Sequence, residues 1–125
     1  MNKKYQEYKA WLERAEKDLK AAKDSVSSGN YEWAGFQAQQ AAEKSLKAIC
    51  INKNKILIKT HDCTLLARKC NAPEEIIKAG SELTPSYGDT RYPDIPKEYT
   101  KEVVEDLIKK AEEVISWTKK SLSEN

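Results

Sequence analysis

The chain has 125 residues, 39% hydrophobic and 34% charged, and its 22 basic and 20 acidic side chains leave a formal net charge of +2. That length suits one domain spanning residues 1–125, with a core that needs no disulfide. The charge balance alone demands no polyanionic partner. No apolar run approaches the roughly 20 residues of a membrane span, and the start, MNKKYQEYKAWL, lacks the apolar stretch of a secretion signal. A cytoplasmic protein without a membrane partner is expected.

The first predicted element is an amphipathic helix over about residues 3–27. Tyr5, Tyr8, Leu12, Ala15, Leu19, Ala22 and Val26 form one apolar stripe at alternating gaps of three and four. SSGN at 27–30 stops it, with Gly29 suited to a left-handed C-cap. A second helix follows over about 31–51. Its inward candidates are Tyr31, Ala34, Ala38, Ala41, Ala42, Leu46 and Ile49. Small side chains let neighbouring helices approach closely, so this helix is placed at the centre. The short turn makes the first two helices an antiparallel hairpin.

Residues 52–60 break the periodicity and are expected to be a loop anchored by Ile56, Leu57 and Ile58. Thr60 or Asp62 is positioned to cap a short helix over about 62–70, with Leu65 and Leu66 inward. Pro73, Glu74 and Glu75 suit the first turn of a fourth helix, whose stripe is Ile76, Gly80, Leu83 and Tyr87. A loop over 88–96 leads to a last long helix, about 99–122, with Val104, Leu107, Ala111, Val114, Thr118 and Leu122 inward. The predicted fold class is all-α: an up-and-down bundle of three long and two shorter helices.

Three stretches carry residue types suited to chemistry. Along the second helix Gln37, Gln40, Lys44 and Lys47 form one row, beside Gln39 and Glu43. Buried amides need partners, so these glutamines bind either a loop or a ligand. Lys44, Lys47, Lys53, Lys55 and Lys59 fall between Glu43 and Asp62 with no acidic residue among them, either as a basic patch or as a solvated helix end. His61, the sole histidine, sits where the third helix starts. Imidazole can serve as an acid or base near neutral pH. Asp62, adjacent in sequence, is badly placed to orient it.

The third stretch is YGDTRYPD, 87–94. Gly88 is expected to end the fourth helix in the left-handed region, and Pro93 to extend Tyr92. Arg91 is either clasped by a neighbour such as Asp89 or Asp94, or presents a bidentate fork to phosphate, with Tyr87 or Tyr92 as a stacking face. Gln40 and Lys44 are plausible second contacts. The three cysteines, Cys50, Cys63 and Cys70, form no CxxC pair and cannot build a zinc site with one His. They are expected to be reduced, buried thiols, and no metal or cofactor is expected.

In order and combination, AEKDLKAAKDSVSSGNYEWAGFQAQQAAEKSLKAI, then KTHD, then YGDTRYPD before a final helix, resemble the HEPN domain family (higher eukaryotes and prokaryotes nucleotide-binding) over about residues 10–120. The resemblance implies a helical bundle that forms a homodimer. It also implies a minimal nucleotidyltransferase partner in a toxin–antitoxin-like pair. Other members are metal-independent ribonucleases that carry an Arg followed at short spacing by a His. Here Asn54, Lys55 and Ile56 occupy the positions where that Arg would precede His61, and no His follows Arg91. The resemblance therefore implies a non-catalytic member that binds nucleotide or RNA phosphate through Arg91, Tyr87, Tyr92, Asp94, Gln40, Lys44 and His61. The alternatives are an atypical ribonuclease using Arg91, His61 and Asp94, and a purely structural interaction module.

Overall fold

The computed structural model describes residues 3–94 and 98–123. Side chains are described from Glu7 onward, so the inward placement expected of the Tyr5 side chain and the end of the 88–96 loop lie outside what is described. The elements are α1 (Lys3–Ser27), α2 (Tyr31–Asn54), α3 (Cys63–Lys69), α4 (Glu74–Leu83), α5 (Ser86–Asp89) and α6 (Lys101–Ser123). All are helical, and no strand occurs among the described residues.

α2 is the central helix. It packs most extensively against α1 and α6 and also touches α3, α4 and α5. Ala34, Ala38, Ala41 and Ala42 are fully buried, and Leu46 and Ile49 extend the same core. α6 contributes Val104, Leu107, Ala111 and Val114 to it. One polar tie crosses this interface, Ser45 Oγ to Thr118 Oγ1 at 2.8 Å, both groups buried. Gly29 turns the α1–α2 connection at φ +78°, as its position predicts.

Five details depart from the sequence expectations. α2 runs to Asn54 and ends with Lys55 in the left-handed region at φ 58°. The predicted fourth helix is cut at Leu83 and resumes only as the one-turn α5. Pro85 is the reason, because it has no N–H to continue the ladder. Gly88 lies inside α5 and does not take a positive φ; beyond Lys55, the left-handed turn residue in this half is Asn71, at φ 57°. Leu65, expected inward, is 39% exposed while Leu66 is fully buried. Of the 56–58 anchor, Ile58 packs against the core, whereas Ile56 and Leu57 are exposed.

Two close approaches place the segment that carries His61. Gly80 lies against the start of α3, where an added Cβ would sit 3.1 Å from the Cys63 backbone. Thr84 Oγ1 accepts from the Cys63 amide at 3.0 Å and donates to the Gly80 carbonyl at 2.8 Å. The end of α4 and the start of α3 are thereby fixed together, with α5 following directly. Tyr99, buried beside them, meets Ser86 Oγ at 3.0 Å, and its ring covers Gly35 of α2.

Candidate functional site

The first turn of α3 is capped by Asp62, whose Oδ1 accepts from the Thr64 and Leu65 amides at 2.9 and 3.2 Å. Thr60 supports it from the other side, accepting from the Asp62 amide at 3.1 Å. With Asp62 spent on the helix terminus, His61 turns toward α2. Its Nδ1 lies 3.0 Å from Glu43 Oε1. Gln39 Nε2 donates to the His61 carbonyl at 3.0 Å and to Glu43 Oε1 at 3.0 Å. Both the backbone and the ring of His61 are therefore set by one face of α2.

Glu43 is a buried carboxylate, 3% exposed in its side chain. Such a charge is tolerated only when paired and hydrogen-bonded. Lys47, one helical turn on, supplies the counter-charge at 2.8 Å from Oε2, and its ammonium also lies 5.5 Å from the Trp11 ring centroid. Gln40 Nε2 completes the set, donating to Gln39 Oε1 at 2.8 Å. Facing a carboxylate, Nδ1 carries the ring proton, which leaves Nε2 as the nitrogen for an external partner. The His61 side chain is 51% exposed.

Tyr87 of α5 joins His61 to the loop. The His61 and Tyr87 rings stack at 3.8 Å between centroids and 15° between planes. Phe36 of α2 stacks on the same tyrosine at 6.0 Å, and Trp33 meets Phe36 edge-on at 5.7 Å. Arg91 is laid over these rings, its Cζ 4.2 Å from the Tyr87 centroid, 5.6 Å from Phe36 and 5.8 Å from Tyr92. Its Nε donates to the Tyr87 carbonyl at 2.8 Å. Its guanidinium is thereby anchored through Nε and through its face on the rings. Arg91, Tyr92, Thr90 and Pro93, with Glu32, Asp89 and Tyr99, line a groove of about 290 Å³.

The structure sorts the predicted residues into three groups. His61, Tyr87, Arg91 and Tyr92 come together, although His61 and Arg91 are thirty positions apart. Tyr87 is an internal spacer already covered by His61, so the exposed ring suited to stacking is Tyr92. Gln40 belongs to the network behind His61, not to the loop. Lys44 faces the other way and pairs with Asp18 of α1 at 2.6 Å, as Gln37 does with Ser25 at 2.6 Å. The single row drawn from Gln37 to Lys47 thus divides between α1 and the His61 segment. Asp94 is exposed at the loop's edge.

Glu43 is the residue that the sequence reading undervalued. The signal was present: Gln39, Glu43 and Lys47 recur at every fourth position, each directly after an apolar residue, Ala38, Ala42 and Leu46. Cys63, beneath this network, is an unreactive thiol. Burial pushes its pKa up to about 12, and the nearby Glu43 charge adds to that. Among the described residues no group of three or more His, Cys, Asp or Glu is arranged to hold a metal ion, and no helix is long and apolar enough to cross a membrane.

Known proteins share this architecture. A crystal structure of TT1696 from Thermus thermophilus superposes with a TM-score of 0.84 at 29% identity, over 90% of this chain and 96% of that one. ST0689, described as an archaeal HEPN homologue, gives 0.78 at 31% identity, over 91% and 96% of the two chains. An HEPN domain protein of Thermotoga maritima, tm0613, gives 0.76 at 27% identity, over 91% and 98%. In sequence, the chain is 28% identical to "Putative toxin MJ1304" of Methanocaldococcus jannaschii, over 93% of this chain and 88% of that protein. The model of the HEPN domain matches residues 8–122, and the chain belongs to the HEPN domain family.

Proposed function

We propose that this protein is a toxin–antitoxin-like HEPN protein that binds a nucleotide or an RNA phosphate on the face built from Arg91, Tyr92 and His61. It acts as a homodimer and pairs with a minimal nucleotidyltransferase. The observation that carries the binding reading is the convergence of His61 and Arg91 on the Tyr87 ring. A cationic guanidinium fixed by aromatic packing, beside an exposed Tyr92, matches a phosphate followed by a base, and the outward His61 Nε2 can accept from a ribose hydroxyl. Glu32 and Asp89 in the same groove suit ribose hydroxyls or base N–H groups. The similarity to a protein named as a toxin supports the biological setting.

The test is titration of the purified chain with ATP and with a short single-stranded oligoribonucleotide at two salt concentrations. Saturable binding that weakens at least tenfold in Arg91→Ala supports the site. Equal affinity in that variant removes it.

One specific observation favours a second reading, acid–base cleavage of RNA. The 3.0 Å contact between Glu43 and Nδ1 orients a half-exposed imidazole with Nε2 outward. An imidazole so held can take the ribose 2′-hydroxyl proton, while Arg91 stabilises the charge on phosphorus oxygens. RNA cleavage that persists in chelator and disappears in His61→Ala selects this reading over simple binding.

A further inference from the structure

The three cysteines are not equivalent. Cys63 lies against Gln39 and Glu43, where its thiol is kept protonated. Cys50 and Cys70 are elsewhere and face each other. Cys50 projects from the last third of α2 and is fully buried, while Cys70 terminates α3 and is 6% exposed. Their Sγ atoms lie 2.6 Å apart. Each sulfur is also directed at the other helix, Cys70 Sγ toward the Leu46 carbonyl at 3.6 Å and Cys50 Sγ toward the Leu66 carbonyl at 3.9 Å. Two thiols on different elements, aimed at each other and fixed by packing, need little backbone movement to bond.

We propose that Cys50 and Cys70 are a site of reversible covalent modification, closing into an intramolecular disulfide that fastens α3 to α2. A low-molecular-weight disulfide serves as the oxidant. Cys70, at the rim, loses its proton and attacks one sulfur of that disulfide, releasing one small thiol. Cys50 then loses its proton, attacks the Cys70 sulfur and expels the second small thiol. Two protein thiols are oxidised, one small disulfide is reduced, and the two protons end on the two released thiols. The hydrogen bond between them lowers the Cys50 pKa and raises that of Cys70, and burial raises both. Position at the rim rather than acidity therefore makes Cys70 the first to meet the oxidant and leaves the buried, more acidic Cys50 to resolve the mixed disulfide. The closed loop would contain His61 and the Asp62 cap, but the inference is independent of what His61 binds.

The experiment oxidises the whole purified chain with glutathione disulfide, alkylates it under denaturing conditions, and maps the peptides by mass. The expected result is one linked pair, Cys50–Cys70, with Cys63 alkylated, reversed by dithiothreitol. A loop of this length predicts a rise in Tm of about 5–10 °C over the reduced protein. That rise should vanish in Cys50→Ser and persist in Cys63→Ser. Alkylation of all three cysteines after oxidation, or a link through Cys63 or between two chains, overturns the proposal. The mapping uses the natural sequence, so it decides the matter even if a serine variant fails to fold.

Discussion

Glu43 and Arg91 hold the candidate site from opposite sides, and they differ in how much stability they carry. Glu43 is buried and balances Lys47, so Glu43→Ala leaves an ammonium in a protein interior without its counter-charge. A loss of about 3–5 kcal/mol is expected in urea unfolding. Replacing both partners with apolar residues, Glu43→Leu with Lys47→Met, should recover most of it, because the charge pair contributes more to orienting His61 than to net stability. A double variant as unstable as the single one would contradict this. Arg91 is exposed, and its anchors are one carbonyl and the faces of aromatic rings. Arg91→Lys keeps the charge but loses the planar fork. Its Tm should change by no more than a few degrees while ATP affinity falls about tenfold, which equals about 1.4 kcal/mol. The opposite pattern, a loss of about 1–3 kcal/mol of stability with unchanged affinity, would make Arg91 a structural clasp.

Among the elements, the long helices were legible because each repeats an apolar stripe over many turns, as Ala15, Leu19 and Ala22 do in α1 and Val104, Leu107 and Ala111 in α6. The short ones were legible only in part. Pro85 lies within the predicted run from Ile76 to Tyr87, and the run's spacing outweighed it; the missing N–H in fact divides α4 from α5. Leu65 and Leu66 are adjacent, and a seven-residue helix has too few turns to show which of them faces in. The site was legible in its residue types, with His61, Arg91 and Tyr92 singled out, but not in its assembly. The contact between His61 and Glu43 depends on how the 55–62 connection returns over α2, which no local pattern encodes. That return is held at the junction of α3 and α4. Gly80→Ala inserts a methyl 3.1 Å from rigid Cys63 backbone, so α4 must shift or α3 must tilt. We expect a stability loss of about 1–3 kcal/mol by thermal or urea unfolding. Stability equal to that of the natural sequence would show that this junction is looser than the contact distances indicate.

For the molecule as a whole, the two most exposed large apolar side chains among the described residues are aromatic and sit beside the site. Trp33 is 58% exposed and Tyr92 55%, joined through Phe36 and Arg91. A second copy related by a two-fold axis would cover such surface and place two sites near one another. Sedimentation at micromolar concentration is therefore expected to give a dimer that Trp33→Glu weakens. A monomer throughout would leave the proposed function without its symmetric form. The same edge-on contact of Trp33 with Phe36 has an optical consequence. The chain holds three tryptophans, Trp11, Trp33 and Trp117, and only Trp33 is both largely solvated and one ring removed from the groups over Tyr87. Its emission should be red-shifted and open to collisional quenching by acrylamide. A ligand on Arg91, or a second protomer over the patch, would change that quenching and leave Trp11 and Trp117 as an internal baseline. The protein thus carries a native fluorophore beside its candidate site, and Trp33→Phe should silence the signal without altering the fold.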